Sequence, residues 1–373
     1  MKYILTITRY IVGILFIFSG LVKANDPLGL SYKMQEFFEV WGLHGLDNYT
    51  LLLSILMIAF EIIAGIAVII GWQMRVFSWL LLALIIFFTF LTAYALFSGK
   101  IRTCGCFGDC IPLTAAQSFT KDLILLGLIL LLFRYRNTIV TTMGTRNAVL
   151  LLGLTTLFSF GFQWWVLRHL PMIDCLPYKR GYGIANQMKI PAGSIPDSTV
   201  ITFVYNKAGK DLEFTADKFP EDFNEDTYKF VKRFDKLVRK GNAEPPIKDF
   251  VLIAPSGTDT TQAIISQAGA MQWLFIKEIR PASLAEIKRR ILELREIAST
   301  KNIPLIVITP SAEDVYAQLS AELQNVPVLR SDVVAVKTAA RYPVTLYLIN
   351  QGGIVDKWSL PDIDKAIRTL TSL

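Results

Sequence analysis

Apolar positions follow two different patterns along this chain. Up to about residue 170 they come in long unbroken runs; from Thr199 onward they alternate, or recur at helical spacing, between polar turns. Leu51–Trp72 carries one acid, and Val76–Phe97 and Ala148–Leu167 carry no charge. Each run supplies the roughly 20 residues that a bilayer-spanning helix needs. Ile4–Val22 is interrupted by Arg9, which can snorkel to the near interface. The same run has the length of a signal-peptide core, but Val22-Lys23-Ala24 is a poor cleavage site and the run reads as a retained span. Phe119–Phe133 is short, and only Leu123–Phe133 is free of charge; beside three clear spans it reads as completing the bundle.

Residues 171–198 form a connector rich in proline and glycine, containing Asp174-Cys175-Leu176-Pro177. Beyond it, Thr199–Asn206 predicts a strand, Lys207–Lys210 a turn and Asp226–Lys240 a charged helix. Phe250–Ala254, Gln272–Lys277 and Pro304–Thr309 predict strands. Ser283 with Glu286, and Ser311 with Asp314, predict capped helix starts. Val344–Ile349, Gly352-Gly353 and Ile354–Trp358 make a hairpin, closed by a helix over Asp362–Leu370. Strands alternating with helices predict a small α/β domain. The domains expected are 1–136, a membrane bundle of four spans; 137–198, a fifth span and connector; and 199–373, a soluble α/β domain.

Composition agrees with this division. Of 373 residues, 53% are hydrophobic and 18% charged, against about 25% charged in soluble globular proteins. That excludes a disordered chain and argues against a purely soluble one. The net charge of +7 comes mostly from residues 1–170, with 12 basic and 7 acidic side chains against 26 and 24 in the rest. This excess flanks apolar runs, where it sets topology and gives no argument for nucleic acid. An N-inside, five-span arrangement puts Lys2, Arg9, Arg75, Arg134, Arg136 and Arg146 on the cytoplasmic side. The 23–50 loop, the 98–118 loop and everything past about 170 then lie outside.

All four cysteines fall on that outer side: Cys104, Cys106 and Cys110 in Thr103–Cys110, and Cys175 in the connector, together with His44 and His169. Envelope compartments favour disulfides. Three readings fit: paired thiols passing electrons by thiolate–disulfide exchange, plain disulfides stapling loop to connector, or a metal site of three thiolates and a histidine. Four cysteines allow three connectivities, which spacing does not choose among.

Cys-Gly-Cys-Phe-Gly at 104–108, between a third and a fourth span, resembles the signature of the MauE branch of the DoxX/MauE redox-associated membrane proteins. Gly20-x-x-Lys23, Asp26-Pro27, and Glu61 with Gly65 also resemble DoxX-type sequences. The resemblance covers about residues 1–136. It implies a four-helix membrane bundle linked to thiol or disulfide chemistry, carried by Cys104 and Cys106. MauE members are associated with maturing methylamine dehydrogenase, whose small subunit is dense in disulfides. Cys110 and Cys175 join the site by position alone.

Arg341–Ile349 followed by Gly352-Gly353-Ile354-Val355 resembles the end of a thioredoxin-like domain. The resemblance implies a cis Pro343 facing the active site, with Val326–Leu329 as the strand-like lead. The place of the usual Cys-x-x-Cys falls at Ile279–Leu284, and no cysteine follows Cys175. Because the thiolate is the nucleophile, this domain does no dithiol chemistry alone. It binds a partner, presents one to the membrane cysteines, or caps the structure.

Glu61 lies about ten residues into an otherwise apolar span, about 15 Å along the helix and near mid-membrane. It reads either as a proton relay or quinone contact, or as a protonated packing group. Lys23, Lys121 and Asp122 read as snorkelling or paired near the interface. Together these features read as an inner-membrane thiol–disulfide redox protein serving disulfide formation or maturation of envelope proteins. Its partners would be the lipid bilayer and an envelope thiol protein or thioredoxin-like protein; Cys104, Cys106, Cys110, Cys175 and Glu61 would carry the chemistry, with a quinone as the acceptor by analogy. The alternative is a non-enzymatic membrane assembly or scaffold protein with structural disulfides.

Overall fold

The computed structural model describes residues 2–101, 105–196, 198–215, 218–239, 241 and 243–373. Five of its helices are long and apolar enough to cross a membrane: α1 (Lys2–Ala24), α3 (Thr50–Ile70), α4 (Met74–Ser98), α5 (Ala115–Arg134) and α6 (Thr145–His169). Between the first two lies α2 (Pro27–Val40), inside what reads from sequence as a loop. Its start is written as Asp26-Pro27. The Asp26 carboxylate accepts from the Gly29 N–H at 3.1 Å, and Pro27 occupies the first turn, where a missing N–H costs nothing.

Small residues let α1 and α3 touch backbone to backbone. A Cβ on Gly13 would sit 2.7 Å from the Gly65 carbonyl oxygen, and one on Gly65 2.7 Å from that of Gly13. Close approach of this kind replaces the missing hydrophobic drive between helices in lipid. Arg9 does not snorkel outward. Its guanidinium donates to the carbonyls of Val68 at 3.0 Å and Ile69 at 2.5 Å, closing the C-terminus of α3. Val12, Phe16, Val68, Leu81, Ile85 and Ile129 form the bundle core.

The soluble part is two bodies. Residues 182–250 form a compact unit of their own. It holds α7 (Ile184–Gln187), β1 (Ser198–Lys207), β2 (Lys210–Thr215) and β3 (Lys229–Arg239), in an antiparallel sheet of order β2-β1-β3. Tyr205 is the hub of its aromatic cluster, against Phe219, Phe223 and Phe230. The helix expected at Asp226–Lys240 is strand β3. Phe230, Phe234 and Leu237 recur at helical spacing, but β3 pairs with β1 along its length, and two bulges break its alternation.

The α/β domain begins at Val251. It comprises α8 (Thr261–Ile265), β4 (Ala270–Ile276), α9 (Leu284–Lys301), β5 (Leu305–Thr309), α10 (Ala312–Leu319), β6 (Val328–Arg330), α11 (Val333–Ala339), β7 (Val344–Asn350), β8 (Gly353–Ser359) and α12 (Ile363–Ser372). The sheet order is β6-β5-β4-β7-β8, with β4, β5 and β6 parallel and β7 and β8 antiparallel to their neighbours. A βαβ crossover followed by an antiparallel hairpin and helix is the thioredoxin-like arrangement, with β6 added at one edge. Ser311 caps α10 as expected. Ser283 does not cap α9: its hydroxyl donates to the Arg280 carbonyl at 3.0 Å within a 3-10 turn, so the Glu286 box does not form. Phe250–Ala254 contributes only isolated bridges from Ile253. Pro343 is trans, as no described peptide bond is cis, so it follows the ordinary preference of X–Pro bonds.

The α1–α3 crossing predicts a test by position. Gly65→Leu should lose about 1–3 kcal/mol through overpacking and lower the thermal midpoint in detergent. Gly127→Leu, on α5 with nothing within 4 Å of its Cβ position, should leave it unchanged.

Candidate functional site

The buried ion pair of the bundle defines the site. Glu61, on α3, is fully buried, and Lys23, near the end of α1, is 4% exposed. Lys23 Nζ donates to both Glu61 oxygens, at 2.6 and 2.8 Å. It also donates to Ser19 Oγ at 3.0 Å, one turn back on α1. Ser19 Oγ in turn lies 3.0 Å from Glu61 Oε2 and 3.1 Å from the Cys106 carbonyl oxygen. A second polar set stands on α4 and α5. Asp122, also fully buried, pairs with Lys121 and accepts from Thr92 Oγ1 at 3.1 Å.

These groups border one cavity of about 210 Å³ between α1, α2, α3, α4 and α5. Its remaining wall is apolar and aromatic, including Phe16, Met34, Phe37, Trp41 and Phe88. Lys23 Nζ lies 5.0 Å from the centre of the Phe88 ring, and Lys121 Nζ lies 5.5 Å from that of Phe107. Cys106 forms part of the wall.

Cys106 carries a free thiol. Burial pushes this thiol above its ordinary value, and the Lys121 ammonium works against that. Cys110 and Cys175 are joined by a disulfide, with Cα atoms 4.8 Å apart. Cys104 and the His44 side chain lie outside the described residues. His169 faces Asp362, its Nδ1 2.8 Å from Oδ2.

The cysteine loop is held by Ser19 at the Cys106 carbonyl, by the Cys110–Cys175 bond and by Arg341 at Asp109. A turn bonds Gly108 N–H to the Gly105 carbonyl, and both glycines have positive φ, of 67° and 57°. Asp109 next meets Arg341, whose Nη2 is 3.2 Å from Asp109 Oδ2 and whose Nε is 2.8 Å from Asp26 Oδ2. Asp26 therefore caps α2 with one oxygen and grips the α/β domain with the other. Arg341 is buried, and its partners hold its already high pKa up against desolvation. Beside it, Lys277 Nζ donates to Tyr32 Oη at 3.2 Å. Burial, the largest effect, lowers Lys277 to about 8, with Arg341, Arg280 and Lys337 adding to it and Glu278 opposing. Arg341 lies just before Pro343, and Lys277 just after β4. The α/β domain thus turns the end of its sheet that carries Lys277 and Arg341 toward α2 and the cysteine loop.

Of the residues singled out in the sequence, Glu61 and Cys106 border one cavity, while Cys110 and Cys175 form one bond beside it. Lys23, which reads from sequence as snorkelling or paired near the interface, is paired, and its partner is Glu61. The Ser19-x-x-x-Lys23 spacing, one helical turn, was the available signal. Arg341, Asp109 and Tyr32 carried none, since their partners lie 232 to 315 positions away or on an unforeseen helix.

The fold and site together define a multi-pass membrane protein with an appended α/β domain. Residues 1–135 match the family described as methylamine utilisation protein MauE, and residues 199–240 match a domain of unknown function, DUF8463. No curated protein matches the chain. Among solved structures, the bacterioferritin comigratory protein of Xanthomonas campestris, studied for alkyl peroxide reduction, is 15% identical over 34% of this chain and 92% of its own, with a TM-score of 0.26. Yeast Sco1 is 22% identical over 33% of this chain and 93% of its own, with a TM-score of 0.24. Arabidopsis thaliana ScoI with copper bound is 11% identical over 33% and 97%, with a TM-score of 0.25.

Two outcomes follow from this geometry. In folded protein, maleimide should modify Cys106 slowly at pH 7 and faster as pH rises toward and past its raised pKa, while Cys110 and Cys175 react only after reduction. Arg341→Ala leaves Asp26 without its buried partner. It should cost about 3 kcal/mol, read as a lower unfolding midpoint for the α/β domain, with Arg341→Lys restoring part of it.

Proposed function

We propose that this chain is a membrane thiol–disulfide redox protein that oxidises thiols of envelope proteins. Cys104 and Cys106 form the working pair, and Cys110–Cys175 holds the loop that carries them. The observation behind this reading is the position of Cys106. A free thiol stands in the wall of a cavity that also contains a buried ion pair, while the neighbouring cysteine is already bonded. In the cycle, a client dithiol reduces a Cys104–Cys106 disulfide by exchange and leaves as the client disulfide. The two Cys thiols are then reoxidised, releasing two electrons and two protons to an acceptor in the membrane. Glu61, held by Lys23 and Ser19, is the group that accepts a proton from this step.

The cysteine loop and the connector meet at the same end of the bundle, where the α/β domain also packs. The disulfide there supports an oxidising, extracytoplasmic side for that end, and hence an inner-membrane protein with its C-terminal domain outside. Having no cysteine, the α/β domain acts as a clamp on the loop and a surface for the client. A second reading, a scaffold with structural disulfides, is favoured by Cys110–Cys175, which fits a staple as well as a relay.

Thiol trapping in membranes separates the two. Cys104→Ser and Cys106→Ser should each abolish client oxidation while the protein still accumulates. Glu61→Gln should slow reoxidation of the pair by roughly 10²-fold, the low end of what a positioned proton-transfer group contributes. Serine variants that oxidise client at the wild-type rate would leave the scaffold reading standing.

A further inference from the structure

The cavity has the chemistry of a particular acceptor. We infer that it is a quinone site, in which the head group lies between Lys23 and Lys121 with Cys106 at its edge. This inference rests on the redox reading for its electrons, but not for its binding.

A two-electron acceptor soluble in lipid must be apolar with few polar atoms. The cavity matches that description: an aromatic and aliphatic wall, with cations and hydrogen-bonding groups on two sides. Lys121, on α5, keeps N–H donors for a quinone carbonyl beyond its pair with Asp122, while Lys23, on α1, spends its three on Glu61 and Ser19 and acts on the head group by its charge. Neither cation is a bare charge in hydrocarbon, since Glu61 and Asp122 balance them. Such balance leaves no unpaired charge when the site is empty, and Lys121 still has donors for a ligand. Two wall residues, Leu53 and Phe87, also reach the outer surface of the bundle, 41% and 43% exposed. The wall is therefore shared with the lipid-facing surface, which supplies a lateral route for a prenyl tail.

The step balances. Two thiols, Cys104 and Cys106, become a disulfide, and the quinone takes the two electrons and two protons to become a quinol. Lys23 and Lys121 stabilise negative charge as it develops on the quinone oxygens. Glu61 relays one proton through its contacts with Lys23 and Ser19.

The test uses the full-length protein in lipid nanodiscs with a photoreactive azidoquinone, mapped by mass spectrometry. Adducts are expected on cavity residues of α1 and α4 and at the end of α2, around Phe16, Phe88 and Trp41. Excess decylubiquinone should remove them at least tenfold, and the cavity-filling variant Leu91→Trp should do the same. Adducts confined to lipid-facing positions, or cavity adducts that unlabelled quinone does not displace, would overturn the inference. Competition in the wild-type protein decides the matter even where Leu91→Trp fails to accumulate. Labelling is read again in a Cys104→Ser, Cys106→Ser protein. Displaceable cavity adducts there, together with no thiol oxidation in the wild type, would retain the quinone site and remove the redox function.

Discussion

The Lys23–Glu61 ion pair sits inside the helical bundle, and the packing around it is arranged to permit it. Removing an ion from water costs several kcal/mol even after relaxation, and only close pairing with further hydrogen bonds offsets the cost. Lys23 and Glu61 meet that demand because α1 and α3 run in contact, glycine against glycine at Gly13 and Gly65. A wider crossing would part the ammonium from the carboxylate. Ser19 then supplies a further hydrogen-bonding atom to the pair and reaches the cysteine loop. Helix spacing, ion pair and loop position are thus links of one chain of contacts.

The α/β domain depends on the bundle in a similar way. Arg341 joins two carboxylates from different parts of the membrane half, one capping α2 and one adjacent to Cys110. Three cations, Lys277, Lys337 and Arg341, surround the Tyr32 ring at 5.3 to 5.9 Å. Asp26 and Asp109 pair with Arg341, and Glu278 opposes the effect of burial on Lys277. The end of the sheet that carries Lys277 and Arg341 is the end that meets the bundle.

Much of this was legible in the sequence, and the exceptions have physical causes. Uninterrupted apolar runs give spans almost residue by residue, because length and absence of charge decide membrane insertion. The β4–α9–β5 unit and the final hairpin were readable from periodicity and from Gly352-Gly353. Strand β3 was not, since bulges against β1 shift its period toward that of a helix. Helix α2 was missed because, at 14 residues, it is too short to span and too apolar to read as a surface helix. At the site, Glu61 announced itself as an acid in an apolar run. Its partner did not, because Lys23 stands at the end of its own run, where a lysine ordinarily reaches for water. The arginine clamp is a long-range pairing, and no local pattern encodes one.

The Cys110–Cys175 bond closes a covalent ring across 65 positions of sequence, with α5 and α6 inside it. Its order of assembly is therefore fixed: the ring cannot close until both helices have crossed the membrane and the connector has emerged beside the loop. The stretch that follows, including residues 251–373, is made later still, so the arginine clamp can engage only a bundle whose last two helices are already in reach. Once shut, the ring also changes what a break in the backbone means. A protease that cuts between α5 and α6, at the far end of the bundle from the cysteines, leaves both fragments on one covalent molecule. The membrane half would keep its helices together through a lesion that would divide an unbridged bundle in two.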